Sequence, residues 1–210
     1  MGLADLPPAP RSGAPVASPG GSRAGVVRFA ARRAEAARPR SARRAEVWLR
    51  LACALAPSFD PCFEQLVALR RAREDRWGAV AVAQEATQRF PGDADAWMLL
   101  GEAHLMVFRQ LDALSDFEQA MTIEERADAA LAAGEIYFRQ GRHAEASARF
   151  ARAYAAGGGP EALRRNAQAL HLAGDEAAAD EALQLWAAQV PGGAGQLEQA
   201  RADLRAERRG

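Results

Sequence analysis

Apolar residues recur along most of this chain at spacings of three and four, the pattern of amphipathic helices rather than of strands. In residues 94–126 the pattern describes two helices separated by a short break. The residues that face inward on these two helices are Trp97, Leu100, Gly101, His104, Ala113, Phe117 and Ala120. Two consecutive helices with facing apolar sides predict an antiparallel helical hairpin.

The hairpin pattern recurs with a period of 33 or 34 residues. Three sets of equivalent positions keep this step over four units, and they are Ala79, Ala113, Ala146 and Ala179; Ala86, Ala120, Ala153 and Trp186; and Val67, Gly101, Gly134 and Ala167. Most of these residues are small, which allows the two helices of a hairpin to approach closely. A fixed period of this length predicts a solenoid of stacked hairpins.

Proline and glycine mark the boundaries of the repeating region. Pro91 and Pro191, each followed by glycine, end the second helices of two units, because proline cannot continue the helical hydrogen-bond ladder. Ten of the first 25 residues are Gly or Pro, and the larger apolar residues among them are isolated. We therefore expect residues 1–25 to form a disordered arm.

The last unit is followed by a different pattern. Trp186 stands where the three preceding units have alanine, so the next element is not expected to be another regular repeat. After a glycine-rich break, Leu197, Ala200 and Leu204 form a narrow apolar stripe on an otherwise charged helix. A solenoid needs a terminal cap with a polar outer face, and we expect residues 194–210 to be that capping helix.

At these positions the chain resembles the tetratricopeptide repeat (TPR) family, whose unit of about 34 residues has characteristic Trp, Leu, Gly, Tyr, Ala, Phe and Pro positions. Residues 94–126 and 127–159 match best. In the second of these units the matching residues are Gly134, Tyr137, Ala146, Phe150 and Ala153. Residues 60–93 and 160–193 match more weakly but stay in register.

A fifth unit is degenerate. In residues 26–59, Ala45, Leu49, Ala52 and Pro57 fall on repeat positions, although Pro39 and several arginines interrupt the first helix. The resemblance therefore implies an all-α fold: an α-solenoid of four clear TPR hairpins and a degenerate fifth, closed by a C-terminal capping helix.

Composition agrees with a helical fold and excludes several kinds of chemistry. The 210 residues include 52 alanines, only 13 β-branched residues and no lysine, so a sheet-dominated fold, a Walker-type phosphate loop and a Schiff-base lysine are excluded. The three histidines lie singly in separate units, and Cys53 and Cys62 lack the spacing of a zinc site. We expect no enzymatic activity, no cofactor and no bound metal.

Charge is divided unevenly along the chain. Residues 1–50 hold ten arginines and three acids, whereas residues 51–210 hold seventeen arginines and twenty-four acids. The basic N-terminal region admits three interpretations: a contact for nucleic acid, an organellar transit peptide, or a segment that lies in an acidic groove of its own or a neighbouring chain. No stretch has the length and apolarity of a membrane span, and we expect a cytoplasmic protein.

The TPR resemblance also implies a binding groove. In the family, positions 2, 5, 9, 12 and 13 of each first helix line a concave surface that receives an extended peptide or a partner helix. The corresponding residues here are Asp95, Met98, Glu102, Leu105, Met106, Asp128, Leu131, Glu135, Phe138, Arg139, Glu161, Arg164, Gln168, His171 and Leu172. Of these, we expect His171 to be exposed and Phe138 to anchor a partner.

This groove is apolar and acidic, and its character indicates the kind of partner. The clamp of Lys, Asn and Arg with which some TPR proteins hold a C-terminal carboxylate is absent, since the corresponding positions hold Glu64, Ala68, Leu99, Asp128 and Ala132. We expect a non-enzymatic scaffold, adaptor or dedicated chaperone that binds a basic and apolar segment of another protein. The alternative is a nucleic-acid-associated protein anchored by the Arg-rich N-terminal region.

Overall fold

A computed structural model describes residues 23–37 and 42–207 of the chain. The helices within these ranges are α1 (Arg23–Ala37), α2 (Ala42–Leu55), α3 (Cys62–Ala72), α4 (Arg76–Arg89), α5 (Ala94–Met106), α6 (Gln110–Ile123), α7 (Ala127–Arg139), α8 (His143–Ala155), α9 (Gly159–Ala173), α10 (Glu176–Gln189) and α11 (Gly193–Glu207). Each packs mainly against its neighbours in the chain. The described part is therefore an all-α solenoid of five helical pairs followed by a single helix.

The helices fall close to the predicted repeat units. The pairs are α1 with α2, α3 with α4, α5 with α6, α7 with α8, and α9 with α10. Three boundaries differ, because α1 already begins at Arg23, α9 begins at Gly159 and α11 begins at Gly193. The rest of the arm predicted for residues 1–25, and Pro39, lie outside the described residues.

The turn between the two helices of a unit has the same backbone geometry in four successive pairs. Glu74, Phe108, Gly141 and Gly174 occupy the same repeat position, and their φ angles are 60°, 62°, 74° and 92°. This left-handed conformation lets the chain reverse direction within two or three residues. Glycine adopts this conformation without a steric penalty, whereas glutamate and phenylalanine adopt it under strain.

Close contact between paired helices depends on glycine at one position. A Cβ atom on Gly101 would lie 2.5 Å from Cε1 of Phe117, and one on Gly134 would lie 2.6 Å from Cε1 of Phe150. Both phenyl rings are completely buried. Each ring therefore packs directly on the backbone of the first helix, which explains the Gly and Phe positions of the two best-matching units.

The neighbouring units distribute volume differently between the same two positions. The α3–α4 pair has Val67 and Ala83 there, and the α9–α10 pair has Ala167 and Leu183, all of them buried. A larger residue on the first helix is thus accompanied by a smaller one on the second. These units depart from the Gly and Phe pattern while keeping the space between their helices filled.

Arginine side chains connect successive pairs at the ends of their second helices. The Arg89 guanidinium at the end of α4 donates hydrogen bonds to carbonyl oxygens at the end of α2, one of them to Ala56 at 3.1 Å. Arg152 in α8 donates to Glu125, which follows α6, at 2.7 Å. Such contacts satisfy carbonyl groups and charges that the helix ends leave open.

The final helix covers the apolar end of the solenoid. Leu197, Ala200 and Leu204 of α11 pack against Leu183 and Trp186 of α10. An ion pair between the guanidinium of Arg201 and Asp180, at 2.5 Å, fixes the same contact. The outward side of α11 is polar, so this helix presents a surface compatible with water.

We expect Gly134→Ala to lower the free energy of unfolding by about 1–3 kcal/mol, because the added methyl group forces Phe150 or the backbone to move. Urea denaturation followed by circular dichroism measures the change. Gly92→Ala is the matched control, since a Cβ atom on Gly92 meets no atom within 4 Å. Equal stability of the two variants would contradict this account of the helix contact.

Candidate functional site

A cavity of about 390 Å³ lies between the first helices of three successive pairs, α3, α5 and α7. We call it the groove cavity. Its lining residues are Glu64, Val67, Ala68, Arg71, Asp95, Met98, Leu99, Glu102, Met106, Arg126 and Asp128. The structure thus brings together five of the predicted groove residues, Asp95, Met98, Glu102, Met106 and Asp128.

The floor of the groove cavity is apolar and adaptable. Val67, Met98 and Leu99 are buried there, and Met106 is half-buried at its side. Methionine side chains rearrange easily and fit apolar partners of different shapes. A floor of this kind provides contact area for an apolar side chain without imposing a single shape on it.

The acidic residues of the groove cavity differ in how their charge is compensated. Arg126 donates hydrogen bonds to both Asp95 and Asp128, the second through Nη2 at 2.8 Å. Its guanidinium lowers the pKa of Asp128. Arg126 therefore compensates only part of the charge of these two carboxylates, and the group of three keeps one net negative charge.

Glu102 has no such compensation. Among the described residues it makes no hydrogen bond or ion pair, and Arg71 acts on it only from a distance. Partial burial raises the pKa of Glu102, and the nearby carboxylates of Glu64 and Asp128 raise it further. The groove cavity therefore holds a carboxylate whose charge would be stabilised by a cation from outside.

Glu135, predicted to lie beside Glu102 on the same wall, is in a different environment. The Arg165 guanidinium of α9 donates two hydrogen bonds to the Glu135 carboxylate, from Nε to Oε1 at 2.5 Å and from Nη2 to Oε2. The same guanidinium lies over the Phe138 ring at 5.0 Å from its centroid. Arg165 therefore neutralises Glu135 and covers Phe138, two residues expected to face a partner.

The remaining predicted groove residues lie outside the groove cavity. Leu105 and Leu131 are half-buried against the core, and Arg139 is exposed. Arg164 and Gln168 line a second cavity of about 390 Å³, which lies between α9, α10 and the capping helix and includes Trp186. The predicted groove is thus divided, and its C-terminal part faces α11.

His171 is buried rather than exposed, which corrects the expectation from the repeat register. Its Nδ1 lies 2.8 Å from Oε2 of Glu176, the first residue of α10. The turn between α9 and α10 brings that carboxylate over the imidazole, and the neighbouring side chains close around it. His171 therefore contributes to the helix contact and is not available in a groove.

Another buried pair joins α5 and α6. His104 Nδ1 lies 2.6 Å from Oδ2 of Asp116, and both side chains are buried. Burial raises the pKa of Asp116, although its hydrogen bond to His104 acts in the opposite direction. His104 stands at the Tyr position of the repeat, and the pair replaces an aromatic contact between the helices.

Several residues that shape the concave side were missed by the sequence register. Glu64 and Ala68 were identified only as positions of the absent clamp, and Arg71 was not identified, although all three occupy groove positions of the weaker unit 60–93. Arg126 and Arg165 carry no comparable signal. Arg126 lies 31 residues from Asp95 and Arg165 lies 30 residues from Glu135, and arginine is common throughout the chain.

Two further observations concern the described residues. No group of three or more His, Cys, Asp and Glu side chains there is arranged to hold a metal ion. None of the described helices combines the length and the apolar composition needed to cross a bilayer.

Solved structures of several proteins have the same architecture. MamA superposes with a TM-score of 0.63 at 15% identity, over 79% of this chain and 92% of that one. TTC0263, a thermophilic TPR protein of Thermus thermophilus, gives 0.54 at 19% identity over 86% and 99% of the two chains. YrrB, described as a TPR protein with an unusual peptide-binding site, gives 0.58 at 17% identity over 77% and 83%.

At these identities the comparison establishes the fold, and the chain has the fold of a tetratricopeptide repeat solenoid. No family model matches the sequence, and no curated protein does.

We expect Glu102→Gln and Glu135→Gln to change stability in opposite directions. A carboxyl group whose pKa is raised by folding stabilises the folded state in its protonated form. This stabilisation is lost as the pH rises through the folded-state pKa. Glu102→Gln should therefore raise the free energy of unfolding at pH 7 by about 0.3–0.5 kcal/mol, since solvent still screens the side chain. The gain should vanish below the ordinary pKa of 4.5.

Glu135→Gln serves as the comparison. It removes the ion pair with Arg165 and should lower the free energy of unfolding at pH 7 by about 0.5–1 kcal/mol. Urea titrations of both variants at several pH values measure these effects. A loss of stability in Glu102→Gln at neutral pH would show that its carboxylate is compensated after all.

Proposed function

We propose that this chain is a non-enzymatic scaffold, adaptor or dedicated chaperone that binds a basic and apolar segment of another protein in the groove cavity. The observation that carries the proposal is the combination of an apolar floor with the uncompensated carboxylate of Glu102. A partner that inserts an apolar side chain beside a cation satisfies both parts of this surface at once.

The acid in the groove supports a binding role because the fold does not need it. Glu102 has no partner among the described residues, and partial burial together with the carboxylates of Glu64 and Asp128 raises its pKa. Residues that reduce stability without a structural partner are commonly found at binding sites. The nearby carboxylate of Glu64 adds to the negative potential that would attract a cation.

The position of the groove cavity suits a peptide. The cavity spans three first helices, so an occupant would run across successive units as an extended segment or a helix. The peptide-binding site named for YrrB supports this kind of occupant by analogy of fold.

Nothing in the comparisons favours the nucleic-acid alternative, which rests on the arginines of the N-terminal region. Of those in α2, Arg50 is paired with Glu46, whereas Arg43 is exposed and forms no ion pair with a described residue. Self-association through the groove and a cytoplasmic location remain expectations from the sequence.

Partners of the full chain are identified by affinity purification and mass spectrometry, with nuclease treatment to remove nucleic acid. The bound segment is then titrated calorimetrically as a synthetic peptide. We expect Glu102→Gln to weaken this peptide three- to tenfold and to reduce the salt dependence of binding, because one charge contact is lost. Met106→Ala should also weaken peptide binding, because it removes part of the apolar floor of the groove cavity.

Glu135→Gln and Phe138→Ala are the matched controls for these titrations. Because Arg165 already neutralises Glu135 and covers Phe138, both variants should bind the peptide within about twofold of the wild type. Unchanged binding by Glu102→Gln and Met106→Ala would exclude the groove cavity as the site. Nuclease-sensitive recovery that depends on the N-terminal arginines would favour the nucleic-acid alternative instead.

A further inference from the structure

Four large apolar side chains stand out from the surface on the second helices of the first three pairs and on one adjoining turn. Val47, Trp77, Phe108 and Leu111 are 65%, 62%, 79% and 71% exposed, the highest values for large apolar residues in the described part of the chain. None of them lines the groove cavity. Apolar residues scattered singly over a surface are common, so what matters is whether these four share one face of the solenoid.

The repeat places these four residues on one surface, which we call the outer strip. Arg43, Trp77 and Leu111 are each 34 residues apart, so they occupy the same position near the start of α2, α4 and α6. Val47 lies one helical turn after Arg43, and Phe108 lies three residues before Leu111. The outer strip therefore continues across three successive pairs.

Phe108 is held in this exposed position at a conformational cost. Its φ of 62° is left-handed, and the following two units have Gly141 and Gly174 at the same position. The ring is the most exposed of the four and contributes nothing to the core. The turn would form more easily with glycine, so phenylalanine at this position calls for an explanation outside the fold.

The outer strip carries exposed arginines, although Glu74, which precedes Trp77 by three residues as Phe108 precedes Leu111, is an exposed acid of the same strip. Arg43 and Arg76 are exposed and form no ion pair with any described residue. Glu46, the acid of α2, is already shared among Arg50, Arg70 and Arg73. Helices α1 and α2 together contain seven arginines and two glutamates.

The shape and charge of this surface distinguish between possible occupants. Its apolar side chains project singly, and the cavity beside them, about 270 Å³ and lined by Arg43, Arg44, Val47 and Trp48, is confined to the first pair. A protruding surface without walls suits a deformable partner better than a rigid one. A second copy of this chain would bring a further set of the same arginines against Arg43 and Arg76.

We propose that the outer strip binds the surface of an anionic phospholipid bilayer. Trp77, Phe108 and Leu111 enter the interface between headgroups and acyl chains, where aromatic and aliphatic side chains are favoured. Arg43 and Arg76 contact lipid phosphates, together with other arginines of the first pair. The attachment is peripheral and leaves the groove cavity free.

Co-sedimentation of the full chain with vesicles tests this proposal. One set of vesicles is phosphatidylcholine, and the other is an equal mixture of phosphatidylcholine and phosphatidylglycerol. The chain should sediment with the anionic vesicles at low salt and should be partly released at high salt. The double variant Phe108→Gly, Leu111→Gln should reduce the partition coefficient at least tenfold, because apolar groups no longer enter the interface.

The variants are chosen so that loss of folding does not obscure the result. Phe108→Gly places glycine where two other units already have it, and its thermal unfolding should match or exceed the wild type. Leu185→Gln is the matched control, because Leu185 is an exposed leucine of α10 outside the outer strip. It should bind vesicles like the wild type, as should Glu102→Gln in the groove cavity.

Three outcomes would overturn the proposal. The first is no sedimentation with the anionic vesicles at low salt, and the second is an equal effect of Leu185→Gln and the double variant. The third is a concentration-dependent dimer in sedimentation velocity that the double variant abolishes while vesicle binding is absent, which would assign the outer strip to a second copy.

Discussion

Direct packing of a side chain from one helix on the backbone of its partner is the contact on which this solenoid depends. In two units a buried phenyl ring occupies the space above a glycine, at distances that exclude even a methyl group on that glycine. This contact fixes the spacing of the two helices and so determines how each pair presents its outer faces to the next. Two of the three first helices that line the groove cavity, α5 and α7, are held in this way, whereas the α3–α4 pair has Val67 and Ala83 at the same positions.

Long-range arginine pairs then decide which surfaces carry charge. Arg126 and Arg165 pair with carboxylates on the concave side, whereas Glu64 and Glu102 form no ion pair with any described residue. A groove that looks uniformly acidic in the sequence therefore keeps its unpaired acids on α3 and α5.

The stacked hairpins were predictable because small residues recur along the chain at a fixed spacing. The groove was predictable only in part. Register identifies positions that face a concave surface, but it does not reveal that Arg165 covers Phe138 or that Glu176 closes over His171. Such contacts depend on side chains from other helices, and no local pattern marks them. The exposure of Phe108 likewise depends on a left-handed turn. Because phenylalanine stands there in place of glycine, the sequence alone does not indicate that turn.

The varied residues at the contact between paired helices have a consequence for how such proteins change over time. Val67 is matched to Ala83, whereas Gly101 is matched to Phe117. Joining α3 to α6 would press valine against a phenyl ring, and joining α5 to α4 would leave a void between glycine and alanine. Duplication and recombination within this chain can therefore exchange whole hairpins, whereas exchanging single helices would break the fold.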